Sequence, residues 1–196
     1  MRILHYTLGF SPYRSGGLMK YAEDLMHAQK RLGHLVVALY PGGTSFFHSR
    51  CFVHIDKAYE GIETYEMTNP LPVPLMYGIK DVESEIASEN MECNSFEQLL
   101  AEVKPDVFHI HTLMGLPLNF LRIAHDQGIR IVYTSHDYFG LCPKVNFINQ
   151  DGEVCQGASA ERCAGCNANA KSASFLKVRN AKWVVPLKSI ARRMKR

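Results

Sequence analysis

The chain has 196 residues, 46% of them hydrophobic and 21% charged, with a formal net charge of +3. These are ordinary values for a chain that buries one sizeable core. No apolar run nears the ~20 residues that span a bilayer, and the polar start Met1-Arg2-Ile3-Leu4-His5-Tyr6 does not read as a secretory leader, so a cytoplasmic protein with reduced thiols is expected.

Residues 2–8 read as a first strand, followed by the loop Gly9 to Gly17. Leu18, Tyr21, Ala22, Leu25, Met26 and Leu32 recur at helical spacing, which predicts a helix over 17–32 closed by Gly33. Leu35 to Tyr40 is a second strand without polar alternation, as in a parallel strand buried on both faces. Residues 44–60 fit no single pattern. Gly61 to Met67 reads as a strand, Asn69 to Pro74 as a proline-rich loop, and 75–92 as weakly helical. Ser95 is placed to cap a helix over Phe96 to Val103, with Gln98 at a capping-box position. A strand over Val107 to His111, a helix over Leu116 to Gln127 closed by Gly128, and a strand over Ile129 to Ser135 complete the series. This alternation predicts an α/β fold with a Rossmann-like parallel sheet.

The charge is uneven along the chain. Nine of the 22 basic residues and none of the 19 acidic ones fall in 167–196, leaving 13 basic residues against those 19 in the rest. The tail interleaves its cations with Phe175, Trp183, Val184, Val185, Leu187 and Ile190. This fits peripheral contact with an anionic membrane or a solvated helix end. No nucleic-acid-binding motif accompanies the charge, so no nucleic-acid partner is expected.

Several residues carry candidate chemistry. Gly16 and Gly17 lie between the first strand and the first helix, where glycines let backbone N–H groups approach a phosphate, or simply make a tight turn. The spacing is not G-x-G-x-x-G, so no nicotinamide or flavin cofactor is expected. His109 and His111 alternate on one strand and share a face. His109 reads as a core histidine, while His111, at the strand tip, is either a substrate contact or structural. His136 and Asp137 end the last strand. The histidine can hydrogen-bond a polar ligand, and the carboxylate can orient it or cap a turn. Cys142, Cys155, Cys163 and Cys166 follow at once, and Cys163-Ala164-Gly165-Cys166 is a metal half-site. Four thiolates fit a structural zinc better than an iron–sulfur cluster; a redox C-x-x-C and four unrelated thiols are the alternatives. Cys51 and Cys93 read as small hydrophobes.

Taken in order, Met1-Arg2-Ile3-Leu4, Gly16-Gly17, Leu25, Leu32-Gly33-His34, Val36, Lys104-Pro105-Asp106-Val107, His109-x-His111 and Thr134-x-His136-Asp137 resemble the N-terminal, acceptor-side domain of GT-B glycosyltransferases of family 4. One subgroup of that family also carries Cys-Pro and later cysteines like those from Cys142 to Cys166. The resemblance divides the chain into a domain over 1–166, with a Cys-rich loop insertion at 138–166, and a basic amphipathic tail over 167–196. It implies retaining transfer from a nucleotide-sugar donor to a glycan or lipid-linked acceptor, in bacterial polysaccharide or glycolipid assembly. It also implies that Gly16-Gly17 lies near the donor diphosphate and that His136 faces the donor sugar. The donor nucleotide and a Glu-x7-Glu motif belong to a C-terminal domain in that family. The pair Glu153 and Glu161 has the spacing but sits in the cysteine loop without a strand-turn-helix context. A chain inactive alone, or one half of a split enzyme with a separate donor-domain subunit, is therefore expected. The alternative is a non-catalytic interaction module with a metal-stapled loop.

Overall fold

The computed structural model describes residues 1–45, 50–80, 94–181 and 184. The chain runs β1 (Arg2–Tyr6), α1 (Gly17–Arg31), β2 (Leu35–Pro41), β3 (Phe52–Tyr59), β4 (Ile62–Thr68), α2 (Asn94–Val103), β5 (Val107–Ile110), α3 (Leu118–Asp126), β6 (Arg130–Tyr133), α4 (Ala160–Asn167) and α5 (Ala173–Asn180). Six strands form one sheet in the order β3-β4-β2-β1-β5-β6. All neighbours are parallel except the β3–β4 pair.

The parallel strands have the apolar character that two covered faces require. On one face Leu4, Tyr6, Leu39, Phe108 and Ile110 pack beneath α2 and α3, where Phe96 stacks on Phe120 with ring centroids 3.9 Å apart. On the other face Val36, Ala38, Tyr40 and Ile62 meet Ala22 and Met26 of α1. Gly33 ends α1 at φ 83°, a left-handed conformation that glycine adopts without steric cost.

The ambiguous stretch 44–60 contains β3, which pairs antiparallel with β4 through Glu60 and Gly61, both at positive φ. Such a two-residue connection suits a hairpin. The helical cap expected at Ser95 is not formed. Its hydroxyl instead accepts a hydrogen bond from Val53 N–H at 2.7 Å, tying α2 to β3, and α2 begins at Asn94. β5 and β6 end at Ile110 and Tyr133, one and two residues earlier than expected. Beyond Lys80, the weakly helical stretch expected at 75–92 lies outside the described residues, as do Cys93 and most of the tail after Ala181. β6 is the sheet edge, and all four of its residues are exposed.

Candidate functional site

From β1 the chain moves outward through β2 to β4 and β3, and later returns to the other side of β1 to lay down β5 and β6. The strand order therefore reverses between β1 and β5. In open α/β sheets, ligands settle in the crevice beyond the strand carboxyl ends at such a switch point. Gly16 and Gly17 follow β1, His111 follows β5, and Ser135 to Asp137 follow β6. The topology thus gathers Gly16, Gly17, His111 and His136 at one end of the sheet.

At its core is a row of imidazoles. The parallel register pairs His5 on β1 with His109 on β5. Because alternate residues share a face, His5, His109 and His111 all lie beneath α1. His5, His109 and His111 are buried. Their rings stand 4.4–5.3 Å apart by centroid. His5 Nε2 meets the Gln29 side-chain oxygen of α1 at 2.7 Å, and His5 Nδ1 meets His111 Nε2 at 3.0 Å. A longer contact of 3.4 Å links His111 Nδ1 to His136 Nε2. To one side, His109 Nε2 meets Thr134 Oγ1 at 2.8 Å.

These contacts fix the direction of the proton chain. An amide oxygen only accepts, so His5 carries its proton on Nε2 and donates it to Gln29. Neutral His5 then accepts at Nδ1 from His111 Nε2–H, and neutral His111 accepts at Nδ1 from His136 Nε2–H. The row ends with a lone pair on Nδ1 of His136, the partly exposed member of the series. Burial keeps the inner rings neutral. It lowers His5 to about 4, although the bond to Gln29 opposes it, and it lowers His111 to about 2, with the neighbouring histidines adding to the effect. His109 and His136 are lowered as well, again mainly by desolvation, with Asp137 pulling His136 the other way.

His111 is fully buried and both ring nitrogens are engaged. While these two contacts hold, neither nitrogen of the His111 ring is left for a ligand. Asp137 Oδ1 accepts from Phe139 N–H at 2.9 Å and Ser135 Oγ donates to Asp137 O, so the carboxylate shapes the turn that presents His136. Gly16 caps α1 at φ 145°, a positive-φ conformation that favours glycine, and a Cβ on Gly17 would meet nothing within 4 Å, which leaves the approach to the helix N-terminus open. Tyr21 of α1 packs edge-on against His136 at 4.8 Å, which sets the first turns of that helix beside the histidine.

Sequence reading missed His5, Gln29 and Arg14. Arg14 stacks over Tyr13 in the loop before α1, and its Nε and Nη2 are buried without a hydrogen-bond partner among the described residues. An unpaired buried guanidinium is costly unless an anion meets it. Beside the crevice, an apolar cavity of about 450 Å³ lies between Pro72, Leu113, Leu116, Leu118, Phe139 and Leu141.

Two sets of three ligand atoms fall within 4.8 Å of one another among the described residues: His5, His109 and His111, and Glu23, His27 and Glu60. In the first set a hydrogen bond joins His5 to His111, and the His109 ring packs against both. Cys142, Cys155, Cys163 and Cys166 are free thiols that instead line one cavity.

A family model described as Glycosyltransferase Family 4 matches residues 15–152. An uncharacterized 42.6 kDa protein in the cps region of Klebsiella pneumoniae is 25% identical over 161 residues, covering 79% of this chain and 41% of that protein. The chain thus spans about two fifths of that relative's length. Among solved structures, the catalytic domain of starch synthase IV from Arabidopsis thaliana, bound to ADP and acarbose, is similar at 19% identity with a TM-score of 0.46, over 69% of this chain and 34% of that one. No described helix is long and apolar enough to cross a membrane.

Proposed function

The chain belongs to glycosyltransferase family 4, and from that membership we propose that it is the acceptor-side half of a two-lobed GT-B enzyme. In this reading the enzyme transfers a sugar, with retention, from a nucleotide-sugar donor to an acceptor in polysaccharide or glycolipid assembly. The observation that carries the reading is that the α1 N-terminus and His136 lie at the same end of the sheet, beside its switch point, with Tyr21 of α1 packed on the His136 ring. The helix N-terminus suits the donor diphosphate through its unpaired N–H groups and dipole. His136 offers its Nδ1 lone pair to a donor-sugar hydroxyl. The row behind it holds that tautomer, and Asp137 sets the turn rather than exchanging protons.

The apolar cavity supports a lipid-linked acceptor over a free glycan, because its walls offer aliphatic and ring surface to an acyl or isoprenoid chain. Basic residues in the tail would hold such an acceptor's membrane close. The donor nucleotide requires a second lobe, in a longer chain or a separate subunit.

The test is transfer from a panel of radiolabelled nucleotide-sugars into membrane lipid extract. The chain alone should form negligible product. Addition of a donor-side lobe carrying Glu-x7-Glu should restore transfer, and His136→Ala should abolish it. Robust transfer by the chain alone, or an undiminished rate in His136→Ala, would overturn the reading.

A further inference from the structure

The segment 138–166 has defined structure but little core, with Phe139 and Val145 packing partly buried against Leu8, Val73 and Met114. None of its residues is buried, and α4 contributes no buried side chain at all. A segment this small needs a staple in place of a hydrophobic core.

Its local structure is organised around its cysteines. Cys142 opens a tight turn in which Val145 N–H meets Cys142 O at 2.9 Å, with Val145 and Phe147 both at positive φ. Phe147 O then accepts from Cys155 N–H at 2.7 Å, Asn149 N–H donates to Glu153 O at 2.8 Å, and Ile148 bridges Val154. This short ribbon returns Cys155 to the Cys142 turn. Ser159 caps α4 by accepting from Arg162 N–H, and Cys163 and Cys166, three apart, share one helix face. All four cysteines line a single cavity of about 440 Å³, with no three of their sulfurs within 4.8 Å of one another.

We propose that this cavity is a structural zinc site, in which Cys142, Cys155, Cys163 and Cys166 bind one ion as thiolates and lock the loop to α4. Each thiol releases its proton on binding; Cys155, for example, gives up its S–H contact to Gly157 O, now 3.2 Å. Zinc–sulfur bonds of about 2.3 Å draw the thiols inward from the cavity wall. Such closure also fixes a wall of the neighbouring apolar cavity, because Cys142, Pro143 and Cys163 line it too. The site stands independently of the proposed transferase activity.

Elemental analysis of the purified chain, prepared without added metal and dialysed, should find about one zinc per chain and no stoichiometric iron. Titration with a mercurial should release that zinc as four thiols react, and cobalt substitution should give thiolate-to-metal charge-transfer absorption. Limited proteolysis should reach 138–166 only after chelation, with the sheet left intact. Iron with acid-labile sulfide, disulfides among these cysteines, or a metal-free protein whose thiols all react freely would each overturn the assignment. Cys163→Ser should lose the ion; the mercurial titration decides the matter on unmodified protein should that variant fail to fold.

Discussion

Acidifying the solution from about pH 7.5 to about pH 5 should cost the fold about 4 kcal/mol through His5 and His111 alone. Both rings are fully buried, and burial lowers them to about 4 and about 2 from an ordinary value of 6.5. At about pH 7.5 each ring is neutral in both the folded and unfolded chain, so neither contributes to the pH dependence. Below 6.5 the unfolded chain takes up protons that the folded chain refuses. Stability therefore falls with pH at about 1.4 kcal/mol per unit per histidine, and the fall levels off only below the folded values. At about pH 5 each ring has cost about 2 kcal/mol, a large share of the 5–15 kcal/mol that holds a typical domain. His109 and His136 are lowered too and act in the same direction. Urea unfolding followed by circular dichroism at the two pH values measures the difference. An unchanged midpoint, or a higher one at about pH 5, would refute the neutral buried row.

Three further outcomes follow from named contacts. Gln29→Leu leaves the His5 Nε2–H unpaired and should destabilise the fold by about 1–3 kcal/mol. Nitrogen-15 shifts should then show a mixed tautomer at His136, whereas Gln29→Glu should keep the single one. Phe96→Ala removes the ring stacked on Phe120 in the core and should cost about 3–5 kcal/mol by chemical denaturation. Deleting 182–196 should reduce flotation with anionic liposomes, and an unchanged floating fraction would count against a membrane-facing role for the basic tail.

The central strands were legible in sequence because burial on both faces leaves an unbroken apolar run, as in Leu35 to Tyr40. β3 was not. It is an edge strand in which Phe52, Val53 and Ile55 are interrupted by His54, Asp56 and Lys57, and its pairing with β4 depends on the hairpin at Glu60 and Gly61. Ser95 carried a genuine capping pattern, but a tertiary partner, Val53 N–H, took its hydroxyl. In the site, His111 and His136 were visible as polar residues at strand ends. His5 was not, because one histidine in a short first strand carries no local signal. Only the β1–β5 register, spanning about half the chain, sets it beside His109.

The two least core-like features of this chain therefore pose the same physical problem. A row of imidazoles beneath α1 and a loop of four thiols with little core each place polar or reactive groups where apolar packing would be more stable. The first is compensated within the chain, since along the row His5, His111 and His136 Nε2 each meet a partner, beginning at the Gln29 side-chain oxygen. The second is not compensated in this way: Cys155 S–H turns to a backbone carbonyl, that of Gly157. Departures from local consistency tend to collect at functional sites. On the two proposals made above, the network ending at His136 would serve a neutral, hydroxyl-bearing ligand and the four thiols a cation.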